Sequence, residues 1–201
     1  MNGDSENFSL PAWAYTDPEF LALERERIFR PSWQVICHLS EIPKPGDYQC
    51  FDFIGEMLFA MRGRDGAVRA FHNVCRHRAS RLLDGPRGHC ARRIVCPYHA
   101  WSYDFEGGLA SVGDRSAFPG LDIARESLVP VETEIYSGFV FARVQSGGPT
   151  VAQMMAAVNC SHPRFTDSNV VRVKSTSGTT KKNVPSASPQ IAARMAPRFM
   201  A

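Results

Sequence analysis

Two short stretches decide how this chain is read: Cys75-Arg76-His77-Arg78-Ala79 and Cys96-Pro97-Tyr98-His99-Ala100-Trp101. Each sets one thiolate donor and one imidazole donor one or two residues apart. Eighteen residues separate His77 from Cys96, enough for an excursion that brings the two loops back together. Two Cys and two His can hold Zn²⁺ tetrahedrally. They can equally hold a [2Fe–2S] cluster, with Cys on one iron and His on the other.

The surrounding sequence has a short, β-like rhythm. Residues 32–38, 47–53 and 57–62 are apolar runs bounded by Pro or Gly. Asp65-Gly66 predicts a hairpin between 57–62 and 68–74. Residues 92–95 and 100–105 read as strands flanking the second loop. Glu106-Gly107-Gly108 is the next turn, and 129–134 and 139–144 close the series. Many short strands punctuated by Gly and Pro predict a mainly β fold built of small antiparallel sheets or a barrel. Ahead of it, residues 17–29 read as a helix, with Thr16 or Asp17 as cap and Pro18 in the first turn.

With these flanks, the two loops resemble a Rieske iron–sulfur domain. Phe71-His72-Asn73-Val74 before the first loop and Trp101-Ser102-Tyr103-Asp104 after the second match as well. The resemblance runs from about Tyr15 to about Asn183, to the α subunits of Rieske non-haem iron oxygenases, the aromatic-ring-hydroxylating dioxygenase family. It implies that Cys75, His77, Cys96 and His99 are the ligands of a Rieske [2Fe–2S] cluster. Tyr98, Trp101 and Tyr103 would cover that cluster. Respiratory Rieske proteins add a disulfide-forming Cys to each loop. Here Arg78, Ala79, Ser80 and Tyr98 stand in those loops, which favours the oxygenase or ferredoxin branch.

The resemblance also implies a division of the chain. Residues 1–31 would be a helical lead-in and 32–146 the Rieske domain. Residues 147–183 would open an α+β catalytic domain, and 184–201 form an aberrant or disordered tail. That tail holds five Ala, three Pro and no acid. The family carries a mononuclear Fe(II) site of two His and one carboxylate in its catalytic domain. Only His162 lies beyond His99, so those ligands are absent here. The family pattern stops after Asn183, and the expectation is a truncation by frameshift or assembly artefact.

The implied function is electron relay. The chain would take electrons from a reductase or ferredoxin and pass them toward a mononuclear iron for O₂-dependent hydroxylation or demethylation, without being catalytically competent alone. A homo-oligomer, a trimer in the family, is implied. A stand-alone Rieske ferredoxin and a Zn-stabilised interaction module remain as alternatives.

Composition agrees with this class. Hydrophobic residues make up 44% and charged residues 21%, an ordinary globular balance. The net charge of +3 is too small to argue for nucleic acid. It is unevenly spread: residues 62–93 hold nine Arg against Asp65 and Asp84. That run either docks an electron donor or faces water. No signal-like segment or membrane span is read, so a cytoplasmic, reducing home is expected, with Cys37, Cys50, Cys90 and Cys160 as thiols. His72 is expected to be a core or hydrogen-bonding histidine, because His77 is better used by the cluster.

Overall fold

The computed structural model describes residues 9–157. Most of the 147–183 segment, the 184–201 tail, Cys160 and His162 lie outside them.

Helix α1 (Pro18–Glu24) opens with Asp17 as N-cap, whose carboxylate accepts the Glu19 and Phe20 amides. It continues as a π-helical turn, Arg25–Phe29. Ten strands follow: β1 (Gln34–His38), β2 (Asp47–Phe53), β3 (Glu56–Arg62), β4 (Val68–His72), β5 (Arg87–His89), β6 (Ile94–Val95), β7 (Ser102–Tyr103), β8 (Leu109–Ser111), β9 (Pro130–Tyr136) and β10 (Phe139–Arg143). Helix α2 (Val151–Ala157) closes the described chain. The order of the large sheet is β1-β10-β9-β4-β3-β2-β5, and that of the small sheet is β6-β7-β8. Every pairing within them is antiparallel.

Strand β3 explains why two hydrophobic cores form. Side chains alternate across a strand, so Phe59 and Met61 enter one core while Leu58 and Ala60 enter the other. All four are essentially inaccessible to water. The first core also contains Phe71, Ile94, Trp101, Tyr103, Cys75 and Cys96, which seats the two Cys-bearing loops against the large sheet. The second is built from Val68, Val131, Ile135, Val140 and Ala142.

The hairpins follow from their turns. Asp65-Gly66 lies in the loop joining β3 to β4, where Arg62 pairs with Val68. Gly66 takes φ of 80°, and the Asp65 carboxylate accepts the Ala67 amide. Strands β5 and β8 and the 3-10 turns Arg115–Ala117 and Ile123–Glu126 were not expected from the sequence. Each is three or four residues long, too short to establish a period.

Two buried arginines tie the ends of the described chain to the sheet. Arg143 pairs with Glu132 through two hydrogen bonds of 2.9 and 2.8 Å. It also donates to the carbonyls of Gly148 and Pro149 and lies over the Trp33 ring. Arg30, at the end of the π-helical turn, pairs with Glu56 at the start of β3.

Candidate metal centre

The two loops share one backbone design. In the first, the Ala79 amide donates to the Cys75 carbonyl at 3.0 Å, and the Cys75 amide donates to the Ser80 carbonyl at 2.8 Å. In the second, Ala100 donates to Cys96 at 3.1 Å, and Cys96 donates to Trp101 at 2.8 Å. Ala79 and Ala100 both take left-handed conformations, with φ of 54° and 58°. A non-glycine residue there costs of order 1 kcal/mol. The cost recurs at equivalent places in both loops, so the same chain reversal is enforced twice.

Asn73 anchors the first loop from inside the protein. It is fully buried. Its side-chain oxygen accepts the Leu82 and Leu83 amides at 3.2 and 2.9 Å, and its amide nitrogen donates to the Leu83 carbonyl at 2.7 Å. The chain entering the Cys75 loop is thereby tied to the chain leaving it. The second loop is the tip of the β6–β7 hairpin, where Ile94 pairs with Tyr103 and Val95 with Ser102.

All four predicted ligands are brought together, and they are paired by type. The Cys75 and Cys96 thiols are buried in the same core, where Cys96 helps to raise the Cys75 thiol, and both are free of disulfides. The His77 and His99 rings stand side by side, with centroids 4.7 Å apart. The cysteine end faces the core, whereas His77 is half-buried and His99 exposed. Among the described residues, no three His, Cys, Asp or Glu side chains gather around one point that a single ion would occupy.

The electrostatics suit ligation. Burial against the aromatic wall pulls His77 below its ordinary imidazole value, and the neighbouring His99 and Arg78 charges act in the same direction. A neutral imidazole is the form that binds metal. Burial pushes the Cys75 thiol up, opposed by the Tyr103 hydroxyl and the His77 amide. Tyr103 is fully buried, and its oxygen accepts the Arg76 amide at 2.9 Å. Its hydroxyl also lies 3.3 Å from the Cys75 sulfur, to which it would donate if that sulfur is a thiolate.

The predicted aromatic cover divides. Trp101 stacks on His77, with centroids 4.8 Å apart and planes within 5°. Phe118 meets both rings edge-on at 5.5 Å, a neighbour that sequence reading missed because it follows a short 3-10 turn. Tyr98 packs on His99 but stays 59% exposed. Among the other described thiols, Cys50 and Cys90 share the core of Cys75 and Cys96, and Cys37 lies in the second core. Burial raises Cys37 and Cys50 to about 11, so both are protonated, and Cys90 is partly exposed. His72 is buried, with Nδ1 3.6 Å from Glu56. No helix among the described residues is long and apolar enough to cross a membrane.

The geometry agrees with comparisons to known proteins. Residues 32–122 match the family model for the Rieske [2Fe-2S] domain. The carnitine monooxygenase oxygenase subunit of Escherichia coli (strain K12) is 38% identical over 150 residues, which cover 75% of this chain and 40% of that protein. The glycine betaine monooxygenase oxygenase subunit of Chromohalobacter salexigens is 35% identical over 151 residues, covering 75% and 34%. The crystal structure of an apo quaternary ammonium Rieske monooxygenase superposes with a TM-score of 0.69 at 35% identity, covering 75% of this chain and 43% of that one. The chain thus spans about 40% of the length of the first of these relatives. By sequence, fold and loop geometry the chain carries a mainly β Rieske [2Fe–2S] domain similar to that of the oxygenase subunits of Rieske oxygenases.

Proposed function

We propose that Cys75, Cys96, His77 and His99 hold a Rieske [2Fe–2S] cluster, and that this part of the chain is the electron-transfer unit of an oxygenase subunit. The observation that carries the reading is the pairing of donors by type across two loops of matching hydrogen-bond pattern. One metal ion bound by all four residues would need them to converge on a single point. Two irons bridged by sulfide need one pair each. When bound, the cluster supplies reversible one-electron storage at a potential above that of an all-Cys ferredoxin.

The protein's own residues set the conditions for that chemistry. The left-handed turns at Ala79 and Ala100 aim the donors. Trp101 and Phe118 keep water from the His77 face, Tyr103 supports the Cys75 sulfur, and His99 faces outward, where an electron can enter or leave. We propose that the Rieske unit spans residues 32–146. In the longer protein it would receive electrons from a reductase or ferredoxin and deliver them, within a homo-oligomer, to a mononuclear non-haem iron for O₂-dependent hydroxylation or demethylation. The ligands of that iron would come from outside the described residues.

Anaerobic purification tests the reading directly. A red-brown protein with a rhombic signal of low average g on reduction is expected. Changing either His77 or His99 to Ala should abolish that signature. A colourless protein with stoichiometric zinc, or a His-ligated signal surviving both substitutions, would refute the assignment.

A further inference from the structure

The nine arginines of residues 62–93 do not form one undifferentiated solvated run. Arg69, Arg76 and Arg81 are each paired with a carboxylate: Asp65, Glu126 and Asp52. The other six have none within ion-pair distance among the described residues, and three of these, Arg64, Arg92 and Arg93, adjoin β6. These three are nonetheless gathered. The Arg64 guanidinium donates to the Arg92 carbonyl at 2.7 Å and lies over the Phe105 ring. Arg93 reaches Ser111 on β8 at 3.5 Å. The Glu106 carboxylate accepts the Arg64 backbone amide at 2.8 Å, so a single acid borders the three arginines.

The place of this cluster gives it meaning. Arg92 and Arg93 lead directly into β6, the edge strand of the small sheet, which carries the chain to Cys96. Residues 91–100 are exposed except for Ile94 and Cys96. The exposed surface is therefore basic at Arg64, Arg92 and Arg93, then apolar at Val95, Pro97 and Tyr98, and ends at His99. No Asp or Glu occurs between Asp84 and Asp104. Three residues of extended chain place Arg93 roughly 10 Å from Cys96. A partner seated on the arginines thus stands beside the cluster loops.

We propose that Arg64, Arg92 and Arg93, with Val95 beside them, form the docking surface for an acidic one-electron donor protein. The inference rests on the cluster reading above and adds to it where the donor sits. Complementary charge raises encounter rates and is screened by salt, while an exposed apolar strip allows a short-lived close approach. In the transfer itself, one electron leaves the reduced donor and one enters the oxidised [2Fe–2S] cluster; no bond forms or breaks.

The test uses the full 201-residue chain loaded with its cluster and a reduced, acidic plant-type [2Fe–2S] ferredoxin as probe, followed by stopped-flow absorbance. At low salt the second-order rate should fall at least about tenfold in Arg92→Glu/Arg93→Glu, and by a similar factor in the wild type at 0.5 M salt. Arg27→Glu, on the exposed π-helical turn, should leave the rate unchanged. Reduction by dithionite and the reduced-state signal should be the same in all three proteins, which separates docking from loss of the cluster. An unchanged ferredoxin rate in the double variant, or a wild type reduced by dithionite but not by ferredoxin, would overturn the docking surface alone. Absence of the signal in the wild type would overturn the cluster reading and this proposal together. A double variant that keeps its ferredoxin rate but elutes as a smaller assembly assigns the face to contact between copies of the chain and refutes the donor site.

Discussion

Tyr103 is the residue through which the core reaches the cluster loops. Its oxygen accepts the Arg76 amide and lies 3.3 Å from the Cys75 sulfur, to which its hydroxyl would donate once that sulfur is a metal-bound thiolate. A hydrogen bond to a thiolate favours the more electron-rich state, and such bonds set cluster potentials. Tyr103→Phe keeps the buried ring and removes only the hydroxyl. The cluster potential in that variant should drop by on the order of 50 mV, the equivalent of about 1.2 kcal/mol for one electron. Protein-film voltammetry reads this directly, and an unchanged potential would mean that the hydroxyl serves only the Arg76 amide. The four positions proposed as ligands were legible as candidates because residue type and spacing single them out. The direction of the Tyr103 hydroxyl was not, because a sequence does not show which acceptor a buried donor finds.

At the level of elements, legibility depended on length and on turn chemistry. Strand β2 falls where the apolar run predicts it, and β3 and β10 differ by a residue at one end. Strands β5 and β8 carry too few residues for alternation to show. Turns were partly readable. Asp65-Gly66 announces its hairpin, but Ile54-Gly55 and Ser137-Gly138 form still tighter, two-residue connections. Phe53 pairs with Glu56 across one and Tyr136 with Phe139 across the other. Both central residues of each turn have positive φ: 51° and 85° in the first, 49° and 82° in the second. That combination favours Asn-Gly and strongly disfavours a β-branched residue in the first place. Ile54 is such a residue, held there by the pairing of β2 with β3. Ile54→Asn should therefore stabilise the protein by about 0.5–1 kcal/mol, net of the modest apolar burial that the isoleucine provides. The denaturation midpoint in urea should rise at unchanged slope. A lower midpoint would show that the half-buried isoleucine side chain outweighs its backbone strain.

Across the whole molecule, the helical lead-in is joined to the sheet through charge at a buried junction. Arg30 meets Glu56, and Glu56 faces His72 at the end of β4, one strand away from the Cys75 loop. Burial pulls His72 down to about 4, with the Arg30 charge acting in the same direction. The unfolded chain, with an ordinary imidazole near 6.5, takes up a proton that the folded chain refuses. Stability contributed by neutral His72 is thus fully present above about pH 6.5 and declines as pH falls toward 4, amounting to about 2 kcal/mol between pH 7.5 and 5. Glu56 acts in the opposite sense: burial raises its carboxyl despite Arg30, so the folded state accepts that proton first and recovers some stability on acidification. The two contributions are separated by variant rather than by pH alone. His72→Gln removes the imidazole and leaves Arg30 and Glu56 in place. The wild type should lose about 2 kcal/mol more than His72→Gln on going from pH 7.5 to 5, measured by urea unfolding of the cluster-loaded protein. Equal losses in the two proteins would mean that His72 becomes protonated in the folded state as readily as in the unfolded chain. The junction would then tolerate a second positive charge beside Arg30, with Glu56 absorbing it.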